Sequence, residues 1–226
     1  MFDSSVWTEA VVNMIIQGLY DTLIMTVCST IMGYVLGLPM GIAMAVTGRK
    51  GIKPNAVIYK ILDATANILR SIPFLILLIL VIPLTRAIVG KSYGTAATIV
   101  PLVIAAAPFI ARMVESSILE VDKGVIEAVQ SMGAGTFTII RKVLLVEART
   151  SLLIGFTIAI GTILGYSAMA GVVGGGGLGA IAIRYGLYRY QTDIMFVTII
   201  ILILLVQIFQ GAGMKISKAL DHRKIN

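Results

Sequence analysis

A chain of 226 residues has the length of one ordinary soluble domain, yet 58% of it is hydrophobic, only 13% is charged, and its mean hydropathy is +0.98. Soluble domains run nearer ~45–50% apolar and ~25% charged, and a fold of this size cannot hide such an excess, so much of it faces lipid. That excludes secreted proteins, cytosolic enzymes and nucleic-acid-binding domains, and it assigns the net charge of +7 to loops beside a membrane rather than to a nucleic-acid partner.

Residues 1–11 carry Asp3 and Glu9 and no Lys or Arg, unlike the basic start of a secretory signal peptide. Charge-free stretches then locate the spans: Thr22–Gly48, Ser71–Thr85, Ser92–Ala111, Thr150–Ile183 and Ile194–Met214. About 20 apolar residues cross a bilayer as helix. The second stretch is short and extends backwards if Lys60, Asp63 and Arg70 are tolerated. The fourth is too long for one span, and its glycines at 171, 174–177 and 179 break the helix near Met169. The reading is an all-α integral membrane protein, one transmembrane domain over 1–226, with five spans at about 12–46, 57–84, 92–118, 148–169 and 192–216. A cytoplasmic loop covers about 119–147.

The first span carries Gly33, Gly37 and Gly41 at four-residue spacing, which puts all three on one face for close helix approach. The partner helix belongs either to the same subunit or to a second one. Pro39 is expected to kink this helix. Cys28, the single cysteine, can form no disulfide within the chain and reads as a small buried residue. Of the 18 Lys and Arg, 13 fall in the first loop, the third loop and the C-terminal tail, against four in the intervening segments. The basic excess marks the inside, so the N-terminus lies outside and the C-terminus inside.

In the third loop, Asp122 is placed as an N-cap and Gly133 as the residue just past a helix C-terminus. The helix between them shows a narrow apolar stripe of Val121, Val125, Val129 and Met132, with Glu127, Gln130 and Ser131 off it. A helix this short needs something to pack on. Thr136 is expected to cap a second helix that runs through Arg141 and Lys142 into the fourth span.

Glu127, Ala128 and Gly133, followed by Val143 and Leu145 ten and twelve residues after the glycine, resemble the cytoplasmic signature loop of ABC-importer permeases, E-A-A-x3-G-x9-I-x-L-P. Val129 replaces the second Ala and Val146 the final Pro. The resemblance continues through Arg70-Ser-Ile-Pro-Phe74, the segment Ala107–Glu115 and Gly165-Tyr-Ser-Ala-Met-Ala-Gly171. Together these segments resemble the methionine-importer branch over nearly the whole chain. The resemblance implies a type I ABC importer permease fold, and a 122–133 loop helix that docks into a cleft on an ATPase subunit. Its contacts would come from Val125, Glu127, Ala128, Val129, Met132 and Gly133. It also implies that Tyr166, Ser167 and Met169 line the permeation path, with Met169 near a gate.

The run Gly174–Gly179 matches G-x-G-x-x-G literally, but a membrane span precedes it rather than a strand, so it reads as an irregular outer turn and not a nucleotide fingerprint. Arg70 inside a span either meets a substrate carboxylate, pairs with Asp63 seven residues earlier, or reaches the interface. Arg112 and Glu115, three apart, read as a structural pair. His222 sits in a basic tail with no metal partners, and no metal site is expected.

Five spans are few for a path, so a homodimer is implied. No G-x-x-x-x-G-K-[ST] phosphate loop is present, so the chain is not an enzyme and binds no cofactor. ATP and Mg would sit on a separate cytoplasmic ATPase dimer, and an extracytoplasmic binding protein would deliver the solute. The expected location is the bacterial cytoplasmic membrane, with lipid as a further partner. A permease for another amino acid, a quaternary amine or a phosphonate is the alternative. A secondary transporter is disfavoured by the lack of repeated halves, and a membrane enzyme by the lack of an intramembrane His.

Overall fold

A computed structural model of the chain describes residues 7–220, so Asp3, His222, Arg223 and Lys224 lie outside the described residues. Among the described residues the secondary structure is entirely helical. Helix α1 (Glu9–Thr47) runs unbroken through Pro39. Helix α2 (Ala56–Ser71) stops before Pro73, where the residue preceding proline is pushed away from helical geometry. Short helices α3 (Phe74–Leu80) and α4 (Ile82–Val89) follow, then α5 (Thr95–Leu119).

The span expected at 57–84 is therefore not one helix. The pair α2 and α3 is apolar enough to cross only when the two are taken together, as a broken span or a re-entrant loop. Four further stretches are long and apolar enough by themselves: Glu9–Thr47, Thr95–Leu119, Arg149–Leu187 and Thr192–Ala219. Four to five candidate spans result.

The loop helix is α6 (Lys123–Ser131). Helix α7 (Thr136–Ile139), a π-helical stretch Ile140–Leu144 and the single turn α8 (Leu145–Glu147) lead into α9 (Arg149–Ala170). Gly135, not Thr136, is the N-cap of α7, and no side chain caps it. The glycine-rich run becomes a 3₁₀ turn (Gly171–Val173), α10 (Gly177–Ile181) and a second π-helical stretch (Ala182–Leu187), before α11 (Thr192–Ala219).

The chain folds as two compact units, each drawing on three stretches of sequence. The first unit comprises residues 1–32, 72–105 and 160–209, and its core holds Met25, Leu77, Leu102, Ile163, Leu164, Leu178 and Ile194. The second comprises residues 33–71, 106–159 and 210–226. Its core gathers Met44, Ala66 and Ala111, with Met40, Tyr59 and Leu62 packed around them.

The glycine face of α1 is settled within the second unit. A Cβ on Gly33 would lie 3.1 Å from Ala106 Cβ, and one on Gly37 would lie 2.6 Å from the Ala107 carbonyl oxygen. One on Gly41 would overlap the Ala111 carbonyl oxygen. The seam is thus with α5 of the same chain. The opposite face of α1 exposes Ile31, Val35 and Leu36, as a helix does that meets lipid or another subunit. Burial separates the spans: 56% of the most apolar window of α5 is buried, but only 11% of that of α11. Helix α5 is therefore the internal post, and α11 a peripheral helix whose apolar side chains face outwards.

Candidate functional site

Helix α6 is built by its ends. Asp122 is its N-cap, with extended backbone, and its carboxylate accepts a 2.7 Å hydrogen bond from the Gly124 N–H. At the other end Gly133 adopts φ +78°, a left-handed value that side chains disfavour. The Gly133 N–H donates to the Gln130 carbonyl at 2.9 Å and the Ala134 N–H to the Val129 carbonyl at 3.3 Å. That reciprocal pair is a Schellman closure and satisfies two otherwise orphaned carbonyls.

Between these caps no residue of α6 is buried. Val125, Glu127 and Ala128 are exposed, Val129 is half-buried, and Met132 is 85% exposed. Of the expected stripe only Val121, which precedes the helix, is packed inside. A nine-residue helix with an outward apolar face is marginal without a partner surface. Phe137, just beyond the turn, is 73% exposed and adds a further large apolar side chain to the surface of this loop. Nothing in the motif points to it. Its signal is only an aromatic residue in a loop predicted to be cytoplasmic. Behind the helix, a cavity of about 550 Å³ is lined by Lys50, Ile118, Lys123, Glu127 and Gln130 among others.

The second group lies in the first unit. The Tyr166 ring stacks on Phe74, with centroids 4.7 Å apart and planes 5° from parallel. This joins two of the segments quoted above, although Phe74 is not predicted as a site residue. Ser167 is buried, and its hydroxyl donates to the Leu164 carbonyl at 2.7 Å, so its polar group is spent on its own helix. Met169 is half exposed, one residue before α9 ends. The chain then turns through Gly174, Gly176 and Gly177, all at positive φ. Thr98 Oγ1 donates to the Gly175 carbonyl, and the Leu178 N–H donates to Thr22 Oγ1 at 2.9 Å. The irregular backbone is thereby satisfied inside protein, the condition for its existence at membrane depth.

The third group corrects the charge pairing. Arg70 is exposed, and it forms no ion pair with Asp63. Asp63 instead accepts from Arg112 Nη2, which also donates to Asn67 Oδ1 at 2.9 Å. Arg112 Nη1 donates to Glu115 Oε2 at 2.8 Å, the pair expected from the i, i+3 spacing. Glu115 is buried, so the guanidinium is the counter-charge that makes its burial tolerable. Tyr59 joins the same network. The unread signal is on α2: Tyr59, Asp63 and Asn67 recur every four residues, a polar stripe that needed a partner on another helix.

The chain is similar to known proteins over almost its whole length. Residues 37–220 match a family model described as "Binding-protein-dependent transport system inner membrane component". A curated protein of Vibrio cholerae, "Probable D-methionine transport system permease protein MetI", is 47% identical over 96% of both chains. The "Methionine import system permease protein MetP" of Bacillus subtilis is 45% identical, over 90% of this chain and 92% of its own. A solved chain described as "Inward facing conformations of the MetNI methionine ABC transporter" superposes with TM-score 0.93 at 46% identity. That match covers 95% of this chain and all of the other.

Proposed function

Because the chain belongs to the family of inner membrane components of binding-protein-dependent transport systems, we propose that it is the membrane-spanning subunit of an ATP-driven methionine importer. The observation that carries this reading is the identity of 45–47% along at least nine-tenths of the chain with permeases named for methionine or D-methionine transport. The fold is that of a type I ABC importer permease, an all-helical inner-membrane chain.

Two copies form the path, since a single chain has four to five candidate spans. Each copy presents α6 to a cytoplasmic ATPase dimer, which binds ATP and Mg. An extracytoplasmic binding protein delivers the solute to the outer face. The N-terminus lies outside and the C-terminus inside, as the basic residues argue. The alternatives of another small solute or a secondary transporter have no observation in their favour.

Helix α6 suits the role of a lever. Its caps stiffen it, none of its residues is buried in the chain's own core, and Val125, Glu127 and Met132 are all exposed. Its N-terminal end continues into α5 and its C-terminal end, through α7 and α8, into α9. A push on α6 is therefore delivered to both helices, and α9 ends at Met169 and Ala170. Met169, a flexible thioether, seals the path and yields when α9 moves, with Tyr166 lining it beside Phe74.

The experiment is growth of a methionine auxotroph that lacks this permease and any redundant importer, on limiting methionine. The expected result is loss of growth, restored by the wild-type gene and not by Glu127→Lys. Unchanged growth of the deletion strain sinks the solute assignment. Full rescue by the lysine variant sinks the coupling role of α6.

A further inference from the structure

Asp21 on α1 and Arg184 in the π-helical stretch after α10 line one cavity of about 220 Å³ in the first unit, together with Met14, Gln17, Ile181 and Tyr185. The two charges are opposite, yet they form no ion pair with each other. Asp21 accepts only a 3.2 Å hydrogen bond from Gln17 Nε2, and Arg184 has no partner among the described residues. A carboxylate and a guanidinium that share a cavity without meeting leave room for a ligand carrying both complementary charges. Such a ligand is the zwitterionic end of an amino acid.

A second cavity of about 250 Å³ adjoins the first through Gly176, Ala180 and Arg184. Its other walls include Val172, Ile183 and Tyr188. Sites for small molecules usually measure ~300–1,000 Å³, with apolar walls and a few convergent polar groups, and the adjoining pair has that character. Gly176, at φ +85°, lies in the wall shared by the two cavities, and a Cβ there would sit 3.2 Å from Thr95 Oγ1 and 3.9 Å from Asp21 Oδ2. Val172 and Gly171 lie just past Met169, which puts the second cavity next to the proposed gate.

We propose that this paired cavity is an entry site for the amino-acid cargo, a deepening that rests on the methionine-import reading. The Asp21 carboxylate accepts the substrate ammonium. The Arg184 fork donates to the substrate carboxylate, a planar match that a lysine reproduces only in charge. The thioether side chain extends along Val172 and Ile183 towards the Tyr188 ring, a favourable sulfur–aromatic contact. The cargo therefore meets both charged groups before the gate opens, and analogues lacking either charge leave one of them unpaired.

The test uses the full chain assembled with its ATPase partner in nanodiscs, without binding protein. Binding of labelled methionine is measured with two competitors: methionine methyl ester, which lacks the carboxylate, and 4-(methylthio)butanoate, which lacks the ammonium. In the wild type each competes at least roughly tenfold worse than methionine, the loss of one charged hydrogen-bonded pair. Arg184→Gln weakens methionine by roughly tenfold or more and makes the ester as good a competitor as methionine. Asp21→Asn does the same for 4-(methylthio)butanoate. Arg184→Lys retains discrimination against the ester. Copurification with the ATPase reports that each variant assembles.

Variants that bind and discriminate as the wild type does overturn the site, as does a loss equal for all three compounds. If the wild type imports methionine with its binding protein but binds none alone, the site is wrong and the import reading stands. If it does neither, both are wrong.

Discussion

Alanine substitution along the α1 seam should give a graded response, because the three glycines meet α5 at different distances. A Cβ on Gly33 would first touch Ile110 Cδ1 at 3.0 Å and Ala106 Cβ at 3.1 Å, a flexible side-chain tip and a methyl group. A few tenths of an ångström of adjustment suffices there. A Cβ on Gly37 would lie 2.6 Å from a backbone oxygen, that of Ala107, and 2.8 Å from Ile110 Cβ. Ordinary contact begins near 3.4 Å, so the two backbones must separate by about 0.8 Å. At Gly41 the overlap with the Ala111 carbonyl is deeper still, with Val114 Cβ at 2.7 Å. A gap of ~0.5–1 Å forfeits a quarter to a half of each dispersion contact. Lipid supplies no hydrophobic drive to push the helices back together. Overpacking of this kind costs ~1–3 kcal/mol. The expected order of stability is wild type, Gly33→Ala, Gly37→Ala, Gly41→Ala, with the first substitution near neutral. Denaturant titration of the purified complex in detergent measures it. An equal loss at all three positions, or a stable Gly41→Ala, would refute a seam set by backbone approach.

Three further outcomes follow from individual contacts. Arg112→Leu leaves Glu115 buried without its counter-charge and should destabilise by up to ~3–5 kcal/mol. Asp63→Asn should cost less, because Glu115 and Asn67 still hold the guanidinium. The two variants melted side by side check that ranking. Gly133→Val has open space around it, so its penalty is backbone strain alone, about 1–2 kcal/mol. It should lower transport-coupled ATP hydrolysis more than it lowers the melting temperature of the assembled complex. Thr22→Val removes the acceptor of the buried Leu178 N–H and should cost ~1–3 kcal/mol. Faster hydrogen exchange at Leu178 would report the lost bond.

The features legible in the sequence are those written within a few residues. Asp122 and Gly133 bracket α6 because capping is local chemistry, and both ends are built as expected. The glycine run after Met169 ends α9 for the same reason, through positive φ at Gly174, Gly176 and Gly177. The break at Pro73 was equally local. Charge-free stretches alone do not mark this break, which lies between α2 and α3 because the residue before proline resists helical geometry. The pairing of Arg112 with Asp63 was not legible, because 49 positions separate them and only the tertiary fold selects one acid over another. The same holds for Asp21 and Arg184, which the fold brings to one cavity from opposite ends of the chain.

Helix α6 cannot hold its own position, since none of its residues is buried. Its placement comes from the end of α5, where Ile118 and Val121 are packed inside. That end is fixed by two devices in the same unit. The glycine seam sets how closely α5 approaches α1, and the Arg112 cluster ties α5 to Asp63 and Asn67 on α2. A lever transmits displacement only if its mounting is stiffer than the lever's own contact with its partner. The close-packed glycines and the half-buried guanidinium, hydrogen-bonded to Asp63, Asn67 and the buried Glu115, supply that stiffness on one end of α6. On the other end the link is a left-handed glycine and two residues of turn before α7. Motion imposed on α6 is therefore expected to rotate it about its α5 mounting, with the C-terminal end carrying α7 to α9 along. The conformational change should concentrate at Gly133–Gly135 and leave the Arg112 cluster intact in every state of the cycle.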